Sequence, residues 1–316
     1  MRIIRKPLSF SLPEPCVATI GFFDGIHKGH RFLINQLKEI AASKGIRSAI
    51  ITFPVHPRTV MNVDYQSELL TTCDEKIEML TGTGIDYCIM FDFTKEVSRL
   101  SAREFMADVL RKRYNVQTLV IGYDHRFGHN RSESFDDYLR YGKELGMEVL
   151  PARAYTCDNV SISSSVVRSF LHKGEVDNVV DYLGYNYFLT GTVVDGYQVG
   201  RAIGFPTANI RVDDPDKLIP FDGVYAVRVT VNGESFTGML NIGHRPTVRN
   251  DEHRSIEVHL LHFRKYIYNQ SIRVFFIKRL RSEEKFDSVE ALTAQLHKDA
   301  SAVEALFKAS ASHPST

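Results

Sequence analysis

Two histidines, His27 and His30, lie three residues apart in the glycine-rich stretch Gly21–His30, between an apolar run and a helical pattern. The start of a helix has a partial positive charge and unsatisfied backbone N–H groups, so it attracts anions. Glycines let the backbone approach a polyphosphate closely, and imidazole N–H groups donate to phosphoryl oxygens. The pattern therefore predicts a nucleotide phosphate site.

The chemistry that suits this pair is adenylyl transfer, in which a phosphate nucleophile attacks the α-phosphorus of ATP and expels pyrophosphate. Because such a nucleophile is already ionised, His27 and His30 suit stabilisation of developing charge better than general-base work. Histidines at this spacing also occur by chance on exposed helix faces. The flanking glycines Gly21, Gly25 and Gly29, with a strand before and a helix after, favour the phosphate site.

A second candidate phosphate site is the pair Ser164 and Ser165, with Arg168 one turn later in a predicted helix. Two hydroxyls, a helix start and a guanidinium group can together bind the β and γ phosphates of ATP. An ordinary serine N-cap would have the same sequence. In combination with the two histidines, phosphate binding is the favoured interpretation.

The second half of the chain places Thr207 and Asn209 after a glycine-rich run that includes Gly196, Gly200 and Gly204. On an extended segment, residues 207 and 209 point to the same side. A hydroxyl and an amide oxygen can then converge on one Mg²⁺ while ATP phosphates and water complete its octahedron. A strand end with an Asx turn accounts for the same residues, so both interpretations stay open.

Glu257 is the candidate general base of the second half. Ile256 and Val258 alternate with Glu257 and His259, so the carboxylate lies on the strand face opposite the apolar side chains. Most charged residues on strands simply face solvent. A carboxylate beside a substrate hydroxyl can instead orient and deprotonate it for transfer of a phosphoryl group.

The histidine motif resembles the HxGH signature of Rossmann-like nucleotidyltransferases, and the whole stretch is similar to the opening motif of bacterial bifunctional riboflavin kinase/FAD synthetases. Three further segments match that family in order: Thr52–Arg58, Gly122–Gly128 and Ile162–Arg168. The run Gly191–Asn209 resembles the glycine loop and PTAN motif of riboflavin kinases. The resemblance covers nearly the whole chain.

This resemblance implies two steps that use ATP with Mg²⁺: phosphorylation of riboflavin to FMN, then adenylylation of FMN to FAD with release of pyrophosphate. Flavins are then substrates and products. The implied roles are catalysis by Glu257, His27 and His30; ATP or phosphate binding by Gly21, Phe23, Asp24, Gly29, Ser164, Ser165, Arg168, Gly200, Arg201 and Gly204; flavin contacts by His56, Asp124, Arg126 and Phe127; and metal binding by Thr207 and Asn209.

The sequence departs from the family pattern at three points. Phe22 stands where many relatives have Asn, Pro54-Val55 replaces a commoner Glu-Pro, and Ser165 replaces Thr. The last change keeps the hydroxyl, whereas Phe22 offers no amide for a nucleotide contact. Among the flavin candidates, Phe127 fits a core position equally well.

The elements that must position these residues differ between the two halves. Up to about residue 152, short apolar runs alternate with helical patterns, which predicts an α/β unit with a mostly parallel sheet. Ligands bind beyond the carboxyl ends of such strands, where the loops Gly21–His30 and Gly122–Arg131 would both emerge. The predicted strands are Val17–Ile20, Ser48–Phe53, Tyr87–Phe91, Thr118–Ile121 and Met147–Ala152.

Beyond Tyr185 the strands follow one another without helices, which predicts an antiparallel sheet or small β-barrel. Asn232-Gly233 predicts a tight hairpin. A terminal helix, which Asp287 and Glu290 can cap, precedes a tail that we expect to be disordered. We place the boundary between an FMN adenylyltransferase domain, 1–184, and a riboflavin kinase domain, 185–316. The predicted strands are Tyr187–Val194, Gly223–Val231, Ser235–Ile242, Ser255–Leu261 and Ser271–Ile277.

Composition narrows the classes of partner and the location. The chain has 39 basic and 38 acidic residues, so its net charge favours neither a nucleic acid nor an anionic membrane as partner. Its four cysteines form no CxxC pair, which favours reduced thiols. With no apolar run of signal-peptide or membrane-spanning length, we expect a cytoplasmic enzyme whose partners are small molecules.

Two other functions are consistent with parts of this pattern. One is a protein with a single activity, either adenylyltransferase or kinase, whose other domain binds ligand without turnover. The other is a flavin or nucleotide sensor that keeps the ATP-site residues only for binding. The sequence predicts no particular oligomeric state.

Overall fold

The computed structural model describes the chain except for residues 6–9, 63, 123–124, 130, 154, 156–161, 197–199, 201–202, 245–253 and 313–316, and the side chains of 310–312. The chain forms two compact units, Met1–Ser164 and Ser165–Thr316. Two of the predicted site residues, Asp124 and Arg201, lie outside the described residues.

The first unit is an α/β unit with a six-stranded parallel sheet, as the alternation of elements predicted. Its strands are β1 (Arg2–Ile4), β2 (Cys16–Ile20), β3 (Arg47–Thr52), β4 (Tyr87–Met90), β5 (Val116–Ile121) and β6 (Glu148–Pro151). Its helices are α1 (Lys28–Lys44), α2 (Pro57–Met61), α3 (Cys73–Thr81), α4 (Ala102–Glu104, continuing as a π-helical stretch over Phe105–Arg113) and α5 (Phe135–Leu145).

The strand order β1-β4-β3-β2-β5-β6 determines which loops are neighbours. From β2 the chain adds β3 and β4 on one side, and later adds β5 and β6 on the other. The loops that follow β2 and β5 therefore emerge side by side at a topological switch point, where ligands bind in open parallel sheets. These are the loops that contain the motifs Gly21–His30 and Gly122–Gly128.

Strand β2 is buried along its whole length because the sheet is covered on both faces. Cys16, Ala18 and Ile20 pack into one hydrophobic core, whereas Val17 packs into the other. The loop that carries the histidines thus starts from a strand held on both sides. Helix α4 begins with a capping box, since the Ser101 hydroxyl accepts from the Glu104 N–H and the Glu104 carboxylate accepts from the Ser101 N–H.

The second unit is a closed antiparallel barrel in the order β10-β11-β8-β7-β12-β9, which confirms the predicted barrel. Its strands are β7 (Phe188–Val194), β8 (Ala208–Arg211), β9 (Gly223–Val231), β10 (Glu234–His244), β11 (Arg254–Leu260) and β12 (Ser271–Arg281). Three helices accompany the barrel: α6 (Ser164–Leu171), whose first residue belongs to the first unit, α7 (Val176–Leu183) and α8 (Val289–Ser312).

The hairpin between β9 and β10 has the predicted tight turn. Asn232 and Gly233 both have positive φ, 54° and 78°, and Val231 pairs with Glu234 across the two-residue loop. Positive φ at both central residues defines a type I′ turn, whose twist matches that of the flanking strands. The hairpin register is therefore set by local sequence.

The terminal helix differs from its prediction at both ends. Its first turn is capped by Ser288, whose hydroxyl accepts from the Ala291 N–H at 3.1 Å, rather than by Asp287 or Glu290. The helix also continues to Ser312, into the segment that we expected to be disordered. Hydrophobic packing explains the extension, because Leu306 and neighbouring apolar side chains lie against the barrel core.

Candidate functional site

The loop after β2 has an unusual backbone. Phe23, Gly25 and Ile26 have positive φ values of 55°, 75° and 37° within four consecutive positions. Left-handed conformations at non-glycine residues cost of order 1–3 kcal/mol each and persist where the surroundings fix them. Here Phe23 and Ile26 are buried in the core, which supplies that fixation.

Asp24 fastens the loop to a neighbouring segment. Its buried carboxylate accepts from the backbone N–H groups of Leu70 at 2.9 Å and Thr71 at 3.0 Å. Its backbone carbonyl accepts from the Ser164 hydroxyl at 3.0 Å. The Asp24 side chain is thus directed at backbone donors, and it acts on the loop's conformation.

His27 caps the N-terminus of α1. Its Nδ1 accepts from the backbone N–H of His30 at 3.2 Å, so the proton of the neutral ring is on Nε2. The two imidazole rings are stacked, with centroids 3.6 Å apart and planes 15° apart. His27 thereby presents an N–H donor at a helix start, where anions are favoured.

Both histidines are neutral near pH 7. Burial lowers the pKa of His27 to about 4, although the Asp24 carboxylate acts in the opposite direction. Burial also lowers the pKa of His30 well below its usual value, and positive charge on His27 and Lys76 lowers it further. Nδ1 of His30 is buried without a hydrogen-bond partner among the described residues, which leaves a polar atom for a ligand to satisfy.

Two glycines of the motif make room for these rings. A Cβ atom at Gly29 would lie 3.2 Å from Nδ1 of His27, and one at Gly21 would lie 3.0 Å from the ring of Phe23. The nearest atoms to a Cβ at these two glycines belong to the side chains of Phe23 and His27. Gly21 and Gly29 therefore shape the loop around the histidine and phenylalanine rings.

The serine motif is at the start of α6, as predicted. Because the Ser164 hydroxyl donates to the Asp24 carbonyl, a phosphate contact by Ser164 would use its backbone N–H. Ser165 is exposed, and Arg168 is half-buried one turn later.

The flavin candidate His56 is the N-cap of α2. Its Nδ1 accepts from the Arg58 N–H at 3.2 Å, and its ring meets the edge of Phe22 at 4.6 Å and Tyr65 at 5.4 Å. Phe22, the clearest departure from the family pattern, thus joins an aromatic cluster on the loops after β2 and β3. That cluster can stack against a planar ligand.

The other two described flavin candidates follow β5. Phe127 stacks on Tyr138 at 4.5 Å and packs against the first hydrophobic core, the position expected of a core residue. Its backbone N–H donates to the Tyr138 hydroxyl at 3.1 Å. Arg126 is half-buried, and its guanidinium group donates to the His125 carbonyl at 3.1 Å.

In the barrel, Thr207, Asn209 and Glu257 lie together. Asn209 on β8 pairs with Glu257 on β11, and the Thr207 hydroxyl donates to the Glu257 carboxylate at 3.1 Å. A Cβ at Gly196 would lie 1.9 Å from Nδ2 of Asn209, so only glycine leaves room for that amide. Gly200 closes the loop before Thr207 by accepting from the Phe205 N–H at 2.8 Å, and Gly204 has a positive φ of 85°.

Two cavities of the barrel unit meet at Thr207. One, of about 590 Å³, is lined by Glu257 and by apolar side chains that include Leu292 and Leu296 of α8. The other, of about 360 Å³, has a rim of cationic and aromatic side chains, Arg264, Lys265, Tyr266 and Tyr268. Volumes of this size suit small-molecule substrates.

The wall that α8 contributes is held by a buried ion pair. Arg281 on β12 lines the larger cavity and contacts the carboxylate of Asp299 on α8, with a shortest distance of 2.8 Å. Gln295 donates to the same carboxylate at 2.9 Å. The sequence analysis missed this pair, since nothing local connects residues so far apart in the chain.

Sequence analysis also missed Lys76, although a signal for it exists. Cys73, Lys76, Ile77 and Leu80 follow the spacing of one helix face, which places a lysine on the apolar side of α3. In the structure Lys76 is buried, with 1% of its surface exposed. Its ammonium group lies among the loops that carry the histidines.

Comparison with known families covers both units. A sequence model described as FAD synthetase matches residues 9–166, and one described as riboflavin kinase matches residues 183–307. Among solved structures, the chain resembles one described as a macrolide-efflux protein from Streptococcus pneumoniae, with a TM-score of 0.87, 29% sequence identity, and coverage of 96% of this chain and 98% of that one. In the described part of the chain, no helix combines the length and apolar character needed to cross a membrane.

Two curated relatives match nearly end to end. The chain is 39% identical over 292 residues to the bifunctional riboflavin kinase/FMN adenylyltransferase of Listeria monocytogenes, covering 92% of each protein. It is 35% identical over 302 residues to the protein of the same name from Escherichia coli, covering 95% of this chain and 96% of that one. Since two family models and full-length relatives agree with the loop of paired histidines and the Thr207–Glu257 cluster, the chain belongs to the bifunctional riboflavin kinase/FMN adenylyltransferase family.

Proposed function

We propose that residues 185–316 phosphorylate riboflavin with ATP to give FMN, and that residues 1–184 adenylylate FMN with a second ATP to give FAD and pyrophosphate. Family membership supports both activities. The observation that carries the proposal is that each part has its own chemistry. Paired neutral histidines cap a helix in one, and a carboxylate bonded to Thr207 lines a cavity in the other.

In adenylyl transfer, the FMN phosphate attacks the α-phosphorus of ATP, the new P–O bond forms, and the bond to pyrophosphate breaks. No proton is removed from the nucleophile, so the protein's task is alignment and charge stabilisation. The Nε2–H of His27 and the ring of His30 donate to phosphoryl oxygens whose charge grows during the step. The start of α1 adds its partial positive charge.

Further phosphate contacts are proposed for Ser164, Ser165 and Arg168. A helix start with two serines supplies N–H and O–H donors, and a guanidinium group binds phosphate oxygens in a bidentate manner. Phe23 and Asp24 contribute through the loop's conformation. His56 and Arg126 remain proposed flavin contacts.

In the kinase step, Glu257 accepts the proton of the primary ribityl hydroxyl as that oxygen attacks the γ-phosphorus of ATP, and the bond from the γ-phosphorus to the leaving ADP breaks. The Thr207 hydroxyl holds one carboxylate oxygen of Glu257, which orients the base. The oxygens of Thr207 and Asn209 suit Mg²⁺, a hard cation that prefers oxygen ligands. Mg²⁺ bound there with ATP would neutralise phosphate charge.

The two cavities suggest where the two kinase substrates bind. Glu257 must touch the acceptor hydroxyl and lines the larger, mostly apolar cavity, so we assign that cavity to riboflavin. The smaller cavity shares Thr207 and has Arg264 and Lys265 on its rim, which suits ATP. The phosphoryl group would then pass from ATP in the smaller cavity to riboflavin in the larger one beside Thr207, which lines both cavities.

We also propose a cytoplasmic location, since both steps consume ATP and the buried cysteines Cys16 and Cys88 are free thiols.

The decisive test is to incubate the purified protein with riboflavin, ATP and Mg²⁺ and to separate riboflavin, FMN and FAD by chromatography. We expect FMN to appear first and FAD to follow. If riboflavin gives FMN but supplied FMN gives no FAD, the protein is a kinase alone. If supplied FMN gives FAD but riboflavin gives no FMN, it is an adenylyltransferase alone. Flavin binding without either product would overturn the proposal in favour of a sensor.

A further inference from the structure

Lys76 is a buried cation next to the adenylyl-transfer loop. It belongs to α3, whose first turn is fixed by a capping box between Thr72 and Glu75. The side chain reaches the carboxyl ends of β2 and β3, where its ammonium group donates to the carbonyl of Phe22 at 3.1 Å and to that of Phe53 at 2.7 Å. One lysine thus joins the exits of two neighbouring strands.

The ring of Phe22 completes this environment. The ammonium nitrogen of Lys76 lies 4.0 Å from the ring centroid, a cation–π distance. The Phe22 carbonyl also accepts from the Thr52 hydroxyl at 3.0 Å. Phe22, which departs from the family pattern, therefore contacts Lys76 both through its backbone carbonyl and through its ring.

The charge of Lys76 is incompletely balanced. Asp24 attracts it, but that carboxylate accepts from the Leu70 and Thr71 backbone groups. Among the described residues, no carboxylate lies within ion-pair distance of Lys76. The other titratable groups that act on it or respond to it are the thiols of Cys73 and Cys88 and the imidazole of His30.

Burial lowers the pKa of Lys76 to about 8, so the group is largely charged near pH 7. Its positive charge in turn lowers the pKa of His30. A buried ammonium group without a paired carboxylate is unfavourable for folding, because the loss of hydration is incompletely offset. An arriving polyphosphate would supply the missing negative charge.

We propose that Lys76 is a positioning residue of adenylyl transfer, whose ammonium group holds the exits of β2 and β3 and provides a buried positive charge for the nucleotide phosphates. This inference rests on the proposed FMN adenylyltransferase activity. The charge of Lys76 adds to the effect of burial in keeping His30 neutral before ATP binds. That charge is itself stabilised once ATP is present. A purely structural lysine would only tie the two carbonyls.

The first test compares Lys76→Met with Lys38→Met. Lys38 is a matched control, because its half-buried ammonium group also donates to a backbone carbonyl, that of Thr83 at 2.7 Å. We expect Lys76→Met to lower kcat/KM for FAD formation about 100-fold, the size of effect typical of a lost electrostatic stabiliser. Lys38→Met should leave it unchanged, and both variants should still convert riboflavin to FMN.

The second test is the pH profile. In the wild-type protein, kcat/KM for FAD formation should fall as pH rises through about 8, because the ammonium group loses its proton. Lys76→Met should lack that alkaline limb, and Lys76→Arg should retain activity with the limb shifted to higher pH, since guanidinium stays protonated. If Lys76 had only a structural role, Lys76→Met would lower the thermal stability and leave the pH profile of FAD formation unchanged.

Several results would overturn the inference. A Lys76→Met variant with wild-type kcat/KM, or with an unchanged alkaline limb, would show that the charge does not contribute. If neither Lys76 variant folds, the test is ATP binding to the wild-type protein near pH 8, measured by calorimetry in two buffers of different ionisation enthalpy. We expect binding to be accompanied by proton uptake. The absence of proton uptake would overturn the inference. A wild-type protein that makes no FAD would instead contradict the proposed function.

Discussion

Neutral histidines at a helix start act as directional donors rather than as counter-ions. Because Nδ1 of His27 accepts from the His30 N–H, the ring orientation and the tautomer are set before any nucleotide binds. The donor then needs little rearrangement during the reaction, which is the condition under which hydrogen bonds stabilise a transition state best. Negative charge from bound phosphates would raise the pKa of both rings.

Replacing His30 by Ala should stop FAD formation and spare FMN formation. The change removes a ring that stacks on His27 and a buried nitrogen available to a ligand, while the kinase residues are untouched. We expect kcat for FAD formation to fall by about 100-fold or more. His262→Ala is the control, since that ring is exposed and pairs with Glu304. Equal loss of both activities would contradict separate sites.

Replacing Glu257 by Gln should have the opposite effect. The amide keeps the shape of the side chain but cannot accept the ribityl proton, so FMN formation from riboflavin should fall by about 100-fold or more. FAD formation from supplied FMN should continue. The control is Asp213→Asn, an exposed carboxylate of the same unit paired with Arg211. Product analysis by chromatography distinguishes the outcomes, and unchanged FMN formation would exclude Glu257 as the base.

At the residue scale, the sequence predicted which positions carry chemistry better than what each side chain touches. The spacing of His27 and His30 placed them at a helix start, where the structure has them. The orientation of Asp24 toward Leu70 and Thr71 depends on a segment more than forty residues away, so no local pattern indicated it. The roles in binding and catalysis remain proposals.

At the scale of elements, α1 depends on a histidine for its N-cap, which links its stability to pH. The pKa of His27 is about 4 in the folded protein and near 6.5 when unfolded, so the unfolded chain binds the extra proton first. The contribution of His27 to the free energy of unfolding should therefore be fully developed above pH 6.5 and should fall by about 3 kcal/mol as pH drops toward 4.

His27→Asn tests this link. Asparagine is a good N-cap, so stability near pH 7 should stay within about 1 kcal/mol of the wild type. The loss of stability between pH 6.5 and 4 should become smaller, and the remainder should come from His30 and His125, whose pKa values burial also lowers. Urea unfolding followed by circular dichroism measures both, and His262→Asn is the exposed control. An unchanged pH dependence would show that His27 is not the titrating group.

The elements themselves were largely predictable, because hydrophobic periodicity and caps are local. Two short strands were missed: β1 has three residues and β8 has four. Both contain polar or charged side chains, unlike the equally short apolar strand β4, which was predicted. Their conformation is set by pairing, β1 with β4 and β8 with β7 and β11. The length of α8 was underestimated because its last turns are stabilised by packing.

At the scale of the whole molecule, helices α6 and α7 pack with the barrel. The Phe221 N–H donates to the Leu171 carbonyl at 2.9 Å, and Gly174 lies so close to Arg279 and Tyr225 that a Cβ there would be within 3 Å of both. The segment before residue 185 thus contributes to the fold of the second unit. We still propose the functional boundary at residue 184, because the proposed kinase residues Thr207, Asn209 and Glu257 all follow it.

Two fragments test this boundary. Residues 165–316 and 185–316 should both phosphorylate riboflavin, because both contain Thr207, Asn209 and Glu257. The longer fragment should melt at a higher temperature, since it keeps the Leu171 hydrogen bond and the buried side chains of α7. Thermal denaturation and FMN formation measure the two properties. Equal melting temperatures would show that the barrel does not need these helices.

Closure of the barrel makes the two units differ in how each of them unfolds. Each of its six strands has a neighbour on both sides, so no strand can separate without breaking two rows of hydrogen bonds. The parallel sheet of the first unit instead ends in the three-residue strand β1, paired only with β4. Slow amide hydrogen exchange should therefore extend across the barrel strands as one cooperative block, whereas protection in the parallel sheet should decline toward β1.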